Sequence, residues 1–380
     1  MADGQQLAGL RVLDFTQNLP GPYATFMLAS LGAEVIKIEP PRGDPGRNIG
    51  PFFELINRGK KSVVLDLRDG GNAGVLEALV RSADVLVEGF RPGVMDRLGC
   101  GPETARAWNP KLIYCSISAF GQEGPRRAEP GHDLNLQALT GICYLERDER
   151  ENPKGSMLPV ADLSSSLVAV AAICAAHAKG GGATLDVAMA DAALSWAHVW
   201  GQGIDLAAPA RELGARGGGA RVAVRVARHT LLAKLDRLKL YAMPHYGVYR
   251  CRDGLHISLG IVDEGHFWRS FCEVVGLGSL APMPLPARTA LGPVLKRVIA
   301  LKLRTRTRED WMARMVTAGV PATPCLTPTE AVAEPQFVSR GMVGAHGQIR
   351  SPLPGAVHLN GSAPSLGEHT EDVLSTMQSG

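Results

Sequence analysis

Two side chains in this sequence are suited to moving protons, and they stand thirty residues apart: His132, in GHDLNLQALTG, and Asp162, in PVADLSSS. The imidazole is the side chain best suited to exchanging a proton near neutral pH. Each residue also has a plainer reading. His132 precedes a stretch with helical apolar spacing, where it can pack or cap, and Asp133 beside it can cap that same helix. Asp162 stands before LSSSLVAVAAICAAHA, in the place of an N-cap. The functional reading adds that backbone N–H groups at a positive helix end can steady an oxyanion or an enolate.

A second constellation is basic. Arg58, Lys60 and Lys61 precede SVVLDL, Arg91 and Arg97 follow ADVLVEGF, and Asn57 adds a polar donor. Each cation alone reads as solvated surface charge. Together, at the ends of neighbouring strands in an open α/β sheet, they form a rim suited to phosphate.

The elements that must position these residues follow from the pattern. Short β-branched runs at 10–15, 34–39, 62–67, 83–90, 111–120 and 183–189 alternate with helical stretches, the signature of a parallel α/β sheet. LPGPYATFMLASLGA, between the first two runs, is punctuated as a helix by its prolines and by Gly32. Composition shifts from about 205 to 240 toward Gly and Arg, which reads as a linker or exposed segment. PHYGVYRCRDGLHISLG then predicts a hairpin turning at Asp253-Gly254, followed by the helix HFWRSFCEVVGL. Thr327-Pro328-Thr329-Glu330 has the pattern of a capping box. These features predict a large α/β domain from 1–204 and 326–380, a linker at 205–225 and a small α+β domain at 226–325.

A chain of 380 residues is long enough for two cores, and a net charge of +3 without a long Lys/Arg block suits an anionic small molecule as well as nucleic acid. Arginines 211 to 228 lack interleaved aromatics and read as solvated linker, so no nucleic-acid partner is expected. Seven scattered cysteines without a CxxC pair predict reduced thiols and no zinc site. The start MADGQQLAGLRV shows no leader pattern, and LVAVAAICAAHAK (167–179) is too short to span a bilayer; the expectation is a cytoplasmic protein without a membrane partner. NRGKKS is no P-loop, because position 54 is Glu, and GLGSLA follows a helix instead of a strand. GxSxG and HExxH motifs are absent, which removes the support for serine hydrolase and zincin chemistry.

Taken in order, LAGLRVLDFTQNLPGPYATFMLASLGAEVIKIEPP, NRGKKSVVLDL, VLVEGFRPGVMDRLG, LIYCSISAFGQEGP, GHDLNLQALTG, PVADLSSS, ATLDVAMADAAL, YGVYRCRDG and GEHT resemble the family III CoA-transferases. That group, the CaiB/BaiF type, also contains the α-methylacyl-CoA racemases, and the likeness spans nearly the whole chain. It implies a Rossmann-like large domain, a small domain between its two segments, and two chains interlocked as a homodimer, the small domain of one over the site of the other.

The resemblance also implies roles. Asp162 matches the catalytic aspartate of both branches: a nucleophile forming an aspartyl-CoA thioester in the transferases, an acid or base in the racemases. His132 matches the racemase histidine, which works from the opposite face of the α-carbon. A racemase glutamate after the second hairpin strand falls on Asp263 or Glu264, and Glu264 joins the catalytic candidates. Pro40 stands where relatives often have a CoA-binding arginine, so Arg42 is the candidate there, with Asn57, Arg58, Lys60, Lys61, Arg91 and Arg97 as the other CoA contacts. The expected function is racemisation of a 2-methylacyl-CoA by 1,1-proton transfer, with no cofactor beyond the coenzyme A of the substrate. The alternative is CoA transfer to a carboxylic acid.

Overall fold

The computed structural model describes residues 6–146, 152–200, 243–344 and 347–378. The chain divides into two compact units, Met1–Trp200 with Glu334–Gly380, and Gly201–Ala333. The expected linker at 205–225 and its arginines lie outside the described residues.

The first unit is built on six strands: β1 (Arg11–Phe15), β2 (Glu34–Glu39), β3 (Lys61–Val64), β4 (Val85–Glu88), β5 (Ile113–Ser118) and β6 (Thr184–Ala188). They form one sheet in the order β3-β2-β1-β4-β5-β6, and every pairing is parallel. The central strands are apolar along their length because both faces are covered: every residue of β4 and β5 is buried. Alternate residues feed two separate cores. On one face Val12, Val35, Val87 and Cys115 meet the helices Pro20–Ser30 and Val160–Ala178. On the other, Leu13, Ile36, Leu86 and Tyr114 meet Leu76, Leu79 and Val80 of the helix Ala73–Arg81.

The strand order reverses between β1 and β4, and in such a sheet the loops after these strands diverge and leave a crevice at their carboxyl ends. The exposed edge of β3 is dressed by the chain's last segment. His369 donates its N–H to the Ser62 carbonyl at 2.9 Å, and the Thr370 hydroxyl accepts the Val64 N–H at 3.0 Å.

The helix expected from residue 163 onward starts at Val160 and runs to Ala178. At 19 residues and mean hydropathy 1.6 it is long and apolar enough to cross a membrane by length and composition, contrary to the reading of 167–179 alone. Its face of Ala161, Ser164, Ala169, Ile173 and Ala176 is buried in the first unit. In the second unit β7 (Tyr246–Arg250) and β8 (His256–Gly260) form the expected hairpin, and Gly254 takes a positive φ of 83° in the turn. A third strand, β9 (Ala322–Pro324), pairs antiparallel with β8. Trp268, Phe271, Ile257, Trp311 and Met315 fill this unit's core.

Candidate active site

A cavity of about 220 Å³ opens at the switch point of the sheet. It is lined by Thr16, Gln17 and Asn18 after β1, by Gly89, Phe90 and Arg91 after β4, and by Ser118 and Ala119 at the end of β5. His132 and Asp162 line the same cavity. The sequence separates them by thirty residues, and the fold brings both to one cavity.

His132 is the exposed residue before the helix Asp133–Leu139, with extended backbone, and its N–H donates to Asn135 Oδ1 at 3.0 Å. Asp162 is the third residue of the helix Val160–Ala178, so it is not the N-cap; that position falls to Pro159, which has no side-chain oxygen to offer. The missing cap comes from Asp133. Its Oδ1 accepts the N–H of Ala161 at 2.7 Å and of Asp162 at 3.3 Å, while Oδ2 accepts from Gln137 Nε2. Asp133 therefore caps the helix Val160–Ala178 as well as opening its own. These two N–H groups are consequently not the free oxyanion donors that a bare helix end offers.

Burial first, and then the like charge of Asp133, push the Asp162 carboxyl up to about 7. An acid that holds its proton into the neutral range is suited to giving it up during a reaction.

The loop opposite is fixed by buried charge. Asp14 accepts from the Thr16 N–H at 3.0 Å, from the Thr16 and Thr25 hydroxyls and from Lys60 Nζ at 3.0 Å. Lys37 Nζ pairs with Asp44 at 2.8 Å and donates to the Thr16 carbonyl at 2.8 Å, and Asp44 accepts the Asn18 N–H at 3.1 Å. Asn18 is held in the left-handed region at φ 61°. Burial alone would raise the Asp14 carboxyl, but the Lys60 and Lys37 ammoniums and the two threonine hydroxyls hold it well below the usual range. Each ion is satisfied within the fold, which is the condition for burying it.

This network corrects part of the expected phosphate rim. Lys60 Nζ is completely enclosed by Asp14, Pro22, Thr25 and Asn57, and Asn57 Nδ2 donates to the Phe53 carbonyl at 3.1 Å. Arg58 is buried over the Phe26 ring and donates to the Ile349 carbonyl at 2.7 Å. Lys61 opens β3 and pairs with Glu34, the first residue of β2, at the amino ends of the strands. None of the three cations offers its charge at the carboxyl ends. Burial of a lysine by acceptors distant in sequence leaves no mark in a basic run such as NRGKKS.

Arg42, Arg91 and Arg97 are exposed after β2 and β4. Arg91 lines the cavity that His132 and Asp162 also line. Arg97 lines a neighbouring groove of about 490 Å³ together with Arg68, Asn72 and Trp108. Arg68, which follows β3 much as Arg91 follows β4, was not among the candidates that the sequence suggested. Glu264 belongs to the second unit, where its Oε2 accepts the N–H groups of Val262 at 2.9 Å and Asp263 at 3.1 Å ahead of the helix Gly265–Val274. Hydrogen bonds from its own and the Val262 backbone hold its carboxyl below the usual range.

The model of CoA-transferase family III matches residues 7–375. The chain belongs to CoA-transferase family III. Among its relatives, an acetyl-CoA:oxalate CoA-transferase of Acetobacter aceti is 34% identical over 90% of this chain and 87% of its own length. The human alpha-methylacyl-CoA racemase is 30% identical over 97% of this chain and 92% of its own. A crystal structure of a CaiB/BaiF family protein from Brucella suis aligns at a TM-score of 0.77 and 28% identity, covering 98% of this chain and 99% of that one. Family III membership is therefore shared with enzymes of two reaction types, and the residues around the cavity must decide between them.

Proposed function

We propose that the protein racemises a 2-methylacyl-CoA by 1,1-proton transfer between His132 and Asp162. The observation that carries this reading is that an imidazole and a carboxyl protonated up to about 7 line one cavity. One group takes the α-proton, made acidic by the thioester, and leaves a planar enolate; the other returns a proton to the opposite face. Gln17, Asn18 and Arg91 are the polar lining available to the enolate oxygen. The coenzyme A of the substrate is the only cofactor required. Its phosphates suit Arg68 and Arg97, with the exposed Arg42 and Arg91 as further candidates, and its adenine suits the Trp108 face.

The test is incubation with one enantiomer of a 2-methylacyl-CoA in deuterated water without an acceptor acid. Mass spectrometry should show one α-deuterium entering as enantiomeric purity falls, and His132→Ala should abolish inversion. Full inversion by that variant overturns the two-base assignment.

The 34% identical relative named as an acetyl-CoA:oxalate CoA-transferase favours a second reading. There the Asp162 carboxylate attacks the thioester carbonyl, expelling CoA thiolate to give a mixed anhydride. The thiolate then attacks the aspartyl carbonyl and releases the donor acid, leaving an aspartyl-CoA thioester for the acceptor carboxylate. This predicts a hydroxylamine-sensitive adduct on Asp162, and turnover without one over several donors counts against it.

We also infer a homodimer. Leu134 and Leu139 on the His132 helix, Leu167 and Val168 on the Asp162 helix, and Leu194 and Trp196 on Met189–Trp200 are exposed, and apolar surface of this extent on adjoining helices is normally covered. A second copy is the occupant that the family likeness favours. Light scattering that reports a monomer at micromolar concentration overturns it.

A further inference from the structure

We propose that Asp133 is a positioning residue for the reaction, the carboxylate that locks the start of the Asp162 helix to the turn that presents His132. The proposal rests on the reading of Asp162 as the reacting acid. Three observations lead to it. The helix Val160–Ala178 has no cap of its own, and the N–H groups of Ala161 and Asp162 both reach Asp133 Oδ1. Gln137, itself buried, donates from Nε2 to Asp133 Oδ2 and accepts the Ser156 N–H on Oε1 at 2.8 Å, so the carboxylate is tied on its second side to the segment leading into that helix. Finally, Asp133 is adjacent in the chain to His132 but does not line the cavity.

The geometry makes one side chain responsible for the spacing of two catalytic candidates. The Asp133 carboxylate, one residue from His132, accepts the N–H of Asp162 itself, so a shift of Asp133 moves one relative to the other. Misplacements near 1 Å in such pairs cost on the order of 10²-fold in rate. The charge has a second effect. Arg91, Arg127, Glu129 and His132 also line the cavity around Asp162, but Asp133 is the neighbour whose charge raises the Asp162 carboxyl. Asp133 therefore helps to keep Asp162 protonated near neutrality.

The experiment compares the full-length protein with Asp133→Asn, which keeps one acceptor oxygen and removes the charge, and with Asp133→Ser, whose hydroxyl can still cap. Aspartate Cγ shifts are followed by ¹³C NMR against pH, with Asp162→Asn assigning the signal. Both variants should titrate Asp162 at lower pH than the wild type, and the acid limb of the rate profile should move the same way. For turnover, kcat should fall about 10²-fold in Asp133→Asn while KM for acyl-CoA changes little, because Asp133 does not line the cavity. An unmoved Asp162 titration overturns the proposal, as does a lowered melting temperature with kcat intact. If the wild type exchanges no α-proton while the Asp162 signal still moves in the variants, the functional reading has failed and the positioning role stands.

Discussion

Gly21 faces Thr16 across a gap with no room for a methyl group: a Cβ built on Gly21 would stand 2.2 Å from the Thr16 Cβ. The helix Pro20–Ser30 thus starts in direct contact with the loop that forms one wall of the cavity, and Thr16 cannot yield without disturbing its bonds to Asp14. Gly21→Ala should cost about 1–3 kcal/mol in urea unfolding, the usual range for overpacking a filled site. It should also lower acyl-CoA turnover at least tenfold by displacing Gln17 and Asn18. A variant with wild-type turnover shows that the wall tolerates movement.

Glu88 closes β4 beneath the cavity, buried, with Oε2 accepting the Phe90 N–H at 2.7 Å. Burial pushes its carboxyl up to about 7, against an ordinary value of 4.5. Between these two values the unfolded chain has released the proton and the folded one has kept it, so stability falls as pH rises through that window. Glu88→Gln keeps the acceptor for Phe90 and removes the titration. Thermal melts should show no gain at pH 4 and a gain on the order of 2 kcal/mol at pH 8. Equal pH slopes for variant and parent would falsify the assignment.

Arg68 and Arg97 line one groove, and both are exposed. If that groove takes the phosphates of coenzyme A, each charged hydrogen bond contributes about 1.5–3 kcal/mol. Arg68→Ala and Arg97→Ala should each raise KM for acyl-CoA roughly 10- to 100-fold with kcat nearly unchanged. Loss confined to kcat would place these arginines outside the binding of the nucleotide.

Much of the architecture was legible because parallel strands buried on both faces must be apolar and β-branched. EVIKIE appears as β2 over the same residues, and LIYCSIS, VLVE and the Asp253-Gly254 turn sit where the pattern put them. The Thr327–Glu330 capping box is present because both of its bonds are local: the Thr327 hydroxyl accepts the Glu330 N–H, and Glu330 accepts the Thr327 N–H. Pairings across long separations were not legible. Lys60 reads as a surface cation until Asp14, 46 positions earlier, is seen to enclose it. Asp133 reads as a cap for its own helix, and only the fold reveals that the open helix end is 28 residues away.

The closure of β3 by residues 369 and 370 has a consequence for how the protein is made. Val64 and Thr370 are separated by 306 positions, and Ser62 and His369 by 307. While the ribosome is still producing the second unit, the nascent first unit carries an unclad strand edge and waits for a partner that does not yet exist. Such an edge invites pairing with other chains. Chaperone demand during synthesis should therefore be set by the interval before the last segment emerges.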